Sequence, residues 1–278
     1  MKGKMTEWPG GMNIFSGGTR NEINLSRPWQ REMIIDPNTC PLENIPQTVI
    51  AEYKDGLEKW RVIKTTNTPY PFHLLIIPER CWGKEKLQTL GGFLEVRTAL
   101  AILEDILREY RKDGTIILGV HVGYAAGQNT GHLHWHIIEL PQKNPDDVTE
   151  KKIRKCAKNP SLLILDDRAI SVVAGGQRGG QCFFVPKGTE NTLHGLALNL
   201  VEIIHMYNDK FMSTEGLPPE YMVGLKFRKR GFMYGFYIPI LNHLGFPEYF
   251  SLLGEEPRSI TLPWPHEKTV AHLKGAGR

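Results

Sequence analysis

The period of the hydrophobic positions changes several times along this chain, and each change marks an element. "FHLLIIPER", residues 72–80, is a short β-rich run closed by Pro78. "GGFLEVRTALAILEDILREYRKDG" follows, with apolar residues at Phe93, Val96, Leu100, Leu103, Leu107 and Tyr110. Spacings of three and four put these on one face of a helix, and Gly114 supplies a stop. "TIILGVHVGY" then reads as a strand, "AAGQNTG" as a loop and "HLHWHIIEL" as a second strand. The unit is strand, helix, hairpin.

The same order returns after "PQKNPDDVTEKKIRKCAKNP", a polar stretch with Pro and Lys that reads as a connection between domains. "AISVVAGG" and "QCFFVPKG" are strands, the second again ending in proline, Pro186. "LHGLALNLVEIIHMYND" is a helix by the spacing of Leu193, Leu196, Leu200, Ile203 and Tyr207, and "YMVGLKF" with "GFMYGFYIPIL" forms the closing hairpin. An internal duplication of roughly 100 residues accounts for this most simply. Helices alternating with antiparallel strands predict an α+β fold, each half an antiparallel sheet with a packed helix.

Composition narrows the class without naming a chemistry. The 278 residues are 41% hydrophobic and 23% charged, with a net charge of +4, and a chain of this length holds one large domain or two smaller ones. No apolar run approaches the roughly 20 residues that span a bilayer, and "MKGKMTEWPGGMNIFSGG" has no apolar core of the signal-peptide kind. A cytoplasmic protein is therefore expected, with no membrane partner. Cys40, Cys81, Cys156 and Cys182 are widely spaced and form no CxxC, so no disulfide framework is expected. The mild positive charge suits anionic ligands but falls short of a nucleic-acid footprint. "KFRKR", residues 226–230, is the one dense basic run; it reads first as a solvated face, and otherwise as an acceptor-phosphate clamp or an RNA contact.

The chemistry concentrates in "GQNTGHLHWHIIELP", residues 127–141, where three of the ten histidines occupy alternate positions: His132, His134 and His136. On a strand these share one face, while Leu133, Trp135 and Ile137 point to the helix layer. Three readings stand at this point. The histidines fill a half-exposed strand; or they bind a metal, although ligands at i, i+2 and i+4 lie about 7 Å apart and rarely all reach one ion; or one is a nucleophile, since neutral imidazole attacks phosphorus well near pH 7.

"GYAAGQNTGHLHWHII" resembles the histidine-triad signature, in which a Gly-rich turn and a Gln precede His-φ-His-φ-His-φ-φ, and "PFHLLIIPER" resembles the strand that precedes it in that superfamily. "GFYIPIL", "EYFSLLGEE" and "WPHEKTVAHLK" resemble the C-terminal end of galactose-1-phosphate uridylyltransferases and related nucleotidyltransferases, which are tandem duplications with one catalytic half. The resemblance implies two tandem histidine-triad-like domains, a catalytic one at 1–145 and a degenerate one at 160–278. The second-half strand "GFMYGFYIPIL" holds no histidine, so that half is expected to be structural or substrate-completing.

By the same resemblance His134 is the nucleophile toward the α-phosphorus of a nucleotide conjugate. His136 and Gln128 donate to non-bridging oxygens with help from the backbone at Gly127, Asn129 and Thr130, and His132 completes the catalytic set. Asn67, or Thr65 two places earlier, contacts the ribose, against the alternative that Asn67 only forms a turn. A covalent nucleotidyl-histidine passes to a phosphate or sugar-phosphate acceptor. The third histidine, His136, stands where such transferases usually carry Gln; that favours a hydrolase releasing a nucleoside monophosphate from a dinucleoside polyphosphate, phosphoramidate or sugar nucleotide. A non-catalytic nucleotide sensor is the reading from another class. Many relatives hold structural zinc, and the positions here are Cys40, Glu43, Cys81 and His132, against the alternative that both cysteines are packing residues. A homodimer is a further expectation. His121 beside the hairpin is assigned a supporting place, while His73, His194, His205, His243 and His266 are assigned packing or surface polarity, and His272 an exposed place.

Overall fold

The computed structural model describes residues 4–7, 13–16, 42, 49–55, 58–64, 72–79, 93–109, 114–123, 126, 128, 132–140, 146–176, 180–188, 192–211, 218–228, 231–240 and 266–275. Strands β1 (Lys4–Glu7) and β2 (Asn13–Ser16) form a small antiparallel pair. The remaining strands are β3 (Val49–Asp55), β4 (Glu58–Lys64), β5 (His73–Pro78), β6 (Thr115–Val122), β7 (Trp135–Leu140), β8 (Leu163–Asp166), β9 (Ile170–Ala174), β10 (Cys182–Pro186), β11 (Glu220–Arg228) and β12 (Gly231–Ile240). They join into one ten-stranded sheet in the order β3-β4-β5-β7-β6-β11-β12-β10-β9-β8. Helices α1 (Phe93–Glu109), α2 (Asp146–Cys156), α3 (Thr192–Lys210) and α4 (His266–Leu273) cover it. None of the described helices is long and apolar enough to cross a membrane.

Where two separate sheets were expected there is a continuous one. The order reads the same from either edge: a hairpin, a lone strand, and a second hairpin whose later strand lies beside the lone one. The halves meet where β6 and β11 pair antiparallel, from Val122↔Tyr221 to Ile116↔Phe227. Each would otherwise be an edge strand with a row of unsatisfied N–H and C=O groups, and pairing them satisfies both.

Alternation along β6 sorts its side chains cleanly. Ile116, Leu118, Val120 and Val122 enter the main core with Val96, Leu100 and Leu103 of α1 and Leu196, Leu200 and Ile203 of α3, while Ile117, Gly119 and His121 face the other way. Trp135 and Ile137 join the same core from β7. Glu95 in the first turn of α1 and Arg108 in the last complement the helix dipole. The polar stretch read as a connection contains α2. Its apolar residues Ile153, Cys156 and Ala157 lie three and four apart and pack with Val173, Val185 and Tyr234 on the sheet face opposite the main core. So narrow a stripe in so polar a segment is a weak periodic signal.

Two basic or imidazole side chains also depart from expectation. Lys226, the head of the basic run, is buried with its Nζ 3.3 Å from the Tyr234 hydroxyl; only Arg228 of the run's described residues is exposed. His272 is half-buried rather than exposed. It donates through Nε2 to the Lys210 carbonyl (2.9 Å) and packs on Phe211, which docks α4 on the end of α3.

The β8–β9 turn is tied to α3 by one carboxylate. Asp167 Oδ1 accepts from the Ala169 and Ile170 N–H groups (2.6 and 2.7 Å), and its other oxygen accepts from the buried Asn199 amide, which also donates to Gly195 O (2.8 Å). Burial pushes this carboxyl up, but the Ile170 N–H, the Asn199 amide, the Ala169 N–H and nearby Lys187 together hold it below its ordinary value. A carboxylate with a depressed folded pKa stabilises above the ordinary aspartate range and loses that contribution as pH falls through its folded value. Asp167→Ala should therefore lower the unfolding free energy by about 0.5–1.5 kcal/mol at pH 7 in urea titrations, since the carboxylate is exposed and water screens its charge. The gap between variant and parent should close as the titrations are repeated at progressively lower pH.

Candidate active site

The histidine strand is held by its own backbone and by the strand beside it. β7 pairs with β5 from His73↔Ile138 to Ile76↔Trp135 and with β6 from Thr115↔Leu140 to Val120↔Trp135, so both ladders stop at Trp135. Continued, the register would bring Leu133 opposite Pro78, which has no N–H to give. The Pro78 carbonyl is used by a side chain instead: His132, fully buried, donates to it through Nε2 at 2.7 Å. The strand predicted to begin at His132 thus begins at Trp135, with His132–His134 forming its approach.

His134 donates through Nδ1 to the carbonyl of His132, 2.8 Å away. A carbonyl only accepts, so each of these bonds fixes a tautomer. His132 carries its proton on Nε2. Neutral His134 carries its proton on Nδ1, which puts the ring lone pair on Nε2. His136 lies next along the strand with its ring centroid 4.9 Å from that of His134.

Two histidines assigned no catalytic place join this group. His73 Nε2 lies 2.9 Å from His136 Nδ1, so one proton is shared between the two rings. His121, on the same face of β6, has its centroid 5.9 Å from that of His136. His73 is therefore more than packing, and four imidazoles surround one patch on the sheet face away from α1 and α3. Its period-two position on β5 was visible in the sequence, but that β5 lies beside β7 was not.

Gln128 is buried and braces the loop. Its Oε1 accepts from Gly123 N–H at 2.8 Å, and its own N–H donates to Gly123 O at 3.0 Å. Gly123 has φ +98°, with the Glu220 side chain where a Cβ would sit, so only glycine opens the loop here. The amide carbonyl is committed to the loop. Gly127, Asn129, Thr130, Thr65 and Asn67 lie outside the described residues, as do Cys40, Glu43 and Cys81.

Cysteine chemistry is disfavoured at Cys182. Cys182 is buried and burial pushes its thiol far up, so it holds no thiolate at neutral pH. Among the described residues no group of three or more His, Cys, Asp or Glu side chains is arranged to hold a metal.

Comparison with known proteins finds similarities over part of the sequence and over the fold. The family model described as the HIT domain matches residues 43–143. A bis(5'-nucleosyl)-tetraphosphatase (asymmetrical) of Schizosaccharomyces pombe is 27% identical over 99 residues, which cover 34% of this chain and 53% of that protein. The match thus spans about half the length of that relative. Over the whole chain the fold is similar to that of an ADP-glucose phosphorylase from Arabidopsis thaliana (TM-score 0.59, 15% identity, 97% of this chain and 98% of that one). It is also similar to a uridylyltransferase (TM-score 0.56, 17% identity, 98% of both chains).

The brace predicts a local effect. Gln128→Leu keeps the volume but leaves the Gly123 N–H without this acceptor in a buried place, at a cost of about 1–3 kcal/mol. Hydrogen exchange should accelerate at Gly123 and leave the β6 amides from Ile116 to Val120 near their parent rates; an unchanged Gly123 rate would show that the loop stands without the side chain.

Proposed function

We propose that this chain is a nucleotidyltransferase or phosphorylase-type enzyme. It moves a nucleoside monophosphate from a nucleotide conjugate to a phosphate-bearing acceptor by way of a covalent bond to His134. The observation that carries the reading is the 2.8 Å bond from His134 Nδ1–H to its own strand's carbonyl, which directs a lone pair onto Nε2. In the first displacement that lone pair attacks the α-phosphorus. A P–N bond forms, the P–O bond to the leaving group breaks, and the leaving phosphate takes the electron pair. In the second, an acceptor phosphate oxygen attacks and the P–N electron pair returns to Nε2. Splitting one displacement into two lowers each barrier. His136 and the Gln128 amide donate to the non-bridging oxygens, where charge must be held, with the Gly127, Asn129 and Thr130 backbone adding donors and Thr65 or Asn67 meeting the ribose. We place the catalytic unit at 1–145 and the degenerate one at 160–278.

One observation favours a second reading, hydrolysis. Water must lose a proton as it attacks, and the His136–His73 pair offers a place to put it, with 2.9 Å between the nitrogens. A binding-only sensor needs none of this tautomer control.

The adduct decides between these readings. Intact mass after an alkaline quench, which preserves phosphorus–nitrogen bonds, should show a nucleoside-monophosphate increment on the peptide holding His134. His134→Ala should show neither increment nor turnover. Turnover without an adduct under rapid quench, with net inversion at an isotopically chiral phosphorus, would overturn the covalent route. Full turnover of His134→Ala would remove His134 from the chemistry, and an adduct resolved only by water would select the hydrolase.

The donor chemistry of Cys40, Glu43, Cys81 and His132 fits a structural zinc ion, which would brace the first triplet histidine. Their chain neighbours are brought together in support: Leu42 packs on Ile63, Leu75 and Ile77, and Pro78 accepts from His132. Protein purified without chelator should carry about one zinc per chain, and chelation should lower its thermal midpoint. Metal content near zero would return both cysteines to packing.

A further inference from the structure

The second half of the chain supplies an aromatic wall to the first half's histidine site. In register across the sheet, His136 lies opposite Gly119, Gly119 opposite Gly224, and Gly224 opposite Phe236. All four are on the face away from α1 and α3, by the alternation of β6 and its neighbours. Two glycines side by side remove every side chain between the imidazole and the phenyl group. They are not equivalent gaps. A Cβ on Gly224 would collide with the Phe236 ring, 2.1 to 2.8 Å from three of its carbons, so the ring already lies over that glycine. A Cβ on Gly119 would meet, among the described residues, nothing closer than the Val223 carbonyl at 3.4 Å. Phe236 is half-exposed and lies in none of the hydrophobic clusters that take up its neighbours Phe183, Phe232 and Tyr237.

Adjacent strands are about 4.8 Å apart. The Phe236 ring has leaned across one spacing, leaving roughly 10 Å of backbone floor between it and the backbone of β7. Aromatic faces take flat or C–H-rich partners, so the phenyl group suits a ring better than a bare phosphate. In the sheet order β4 lies on the opposite side of β7 from Gly119, and the residues proposed to meet the ribose follow β4 in sequence. A nucleotide lying on that side with its phosphorus at His134 leaves the Gly119 floor to whatever the phosphate is joined to.

We infer that Phe236 and the Gly119 gap form the subsite for a ring-bearing leaving group or acceptor, and so set substrate choice. The inference rests on the nucleotidyl-transfer reading above. The ring's chemistry is shared by a sugar and by a second nucleoside. A phosphate-only partner has no use for the phenyl wall.

The test measures binding rather than turnover, in a His134→Ala background that holds substrate intact. Calorimetric titrations with ADP-glucose, UDP-glucose and diadenosine tetraphosphate are set against AMP and UMP. Phe236→Ala and Gly119→Val should each weaken a ring-bearing conjugate by about tenfold or more, the worth of one aromatic contact with its buried area. Binding of the matching monophosphate should stay within about twofold. Selective loss for a nucleotide sugar identifies a sugar ring, and selective loss for the dinucleotide identifies a nucleoside. Gly119→Val fills the floor and Phe236→Ala removes the wall, so failure of one variant to fold, read from its thermal midpoint, leaves the other to decide. Equal weakening of conjugate and monophosphate, or no weakening of either, overturns the subsite while the transfer reading stands. If the background protein binds none of these nucleotides, the transfer reading itself falls and the subsite falls with it.

Discussion

The bond from buried His132 to the carbonyl of Pro78 is the constraint on which the site depends, because it replaces a sheet contact that proline cannot make. β5 and β7 would otherwise part beyond Trp135, and the chain approaching the strand would have no fixed path. Holding His132 there fixes its carbonyl, and that carbonyl in turn receives His134 Nδ1–H at 2.8 Å. A proline in one strand thereby decides which nitrogen of a histidine on another carries a lone pair. Losing a hydrogen bond of this kind in a fully buried place costs about 1–3 kcal/mol, but the larger consequence is the loss of tautomer control.

Sheet continuity matters in the same way. Because β6 and β11 pair through Gly119↔Gly224, the floor beside the imidazoles continues without a break into the second half. The β6 side chains that face α1 and α3 are large and buried; those that face the site are Ile117, Gly119 and His121. Core and site are thus the two faces of the same strands, and substitutions on one face bear on the other only through register. The half without the histidine triplet is not a passive support: it closes the sheet edge and brings Phe236 to the end of the row.

Much of the fold was legible because its signals are local. The helical spacings of Val96, Leu100 and Leu103, and of Leu196, Leu200 and Ile203, mark α1 and α3, and the alternation of "TIILGVHV" marks β6. The polar segment holding α2 misled because Ile153, Cys156 and Ala157 make a stripe too narrow to stand out among lysines. Lys226 was read as solvated because a basic run usually is; burial beside Tyr234 is a fact of sheet position, not of spacing. At the site, the triplet itself was legible from His132, His134 and His136, and Gln128 from its spacing to them. That His73 bonds His136 depends on the strand order β5-β7-β6, in which a later strand inserts between two earlier ones, and no local pattern records it.

Backbone carbonyls set the protonation of the first two histidines of the triplet. Nitrogen-15 correlation spectra of the histidine rings, assigned through single His→Gln substitutions, read those tautomers directly. At a pH where the rings are neutral, the account predicts a proton on Nε2 of His132 and on Nδ1 of His134, with His134 Nε2 showing the shift of an unprotonated ring nitrogen. A proton on His134 Nε2 in the free protein would contradict it, since that nitrogen would then be a donor and not a nucleophile.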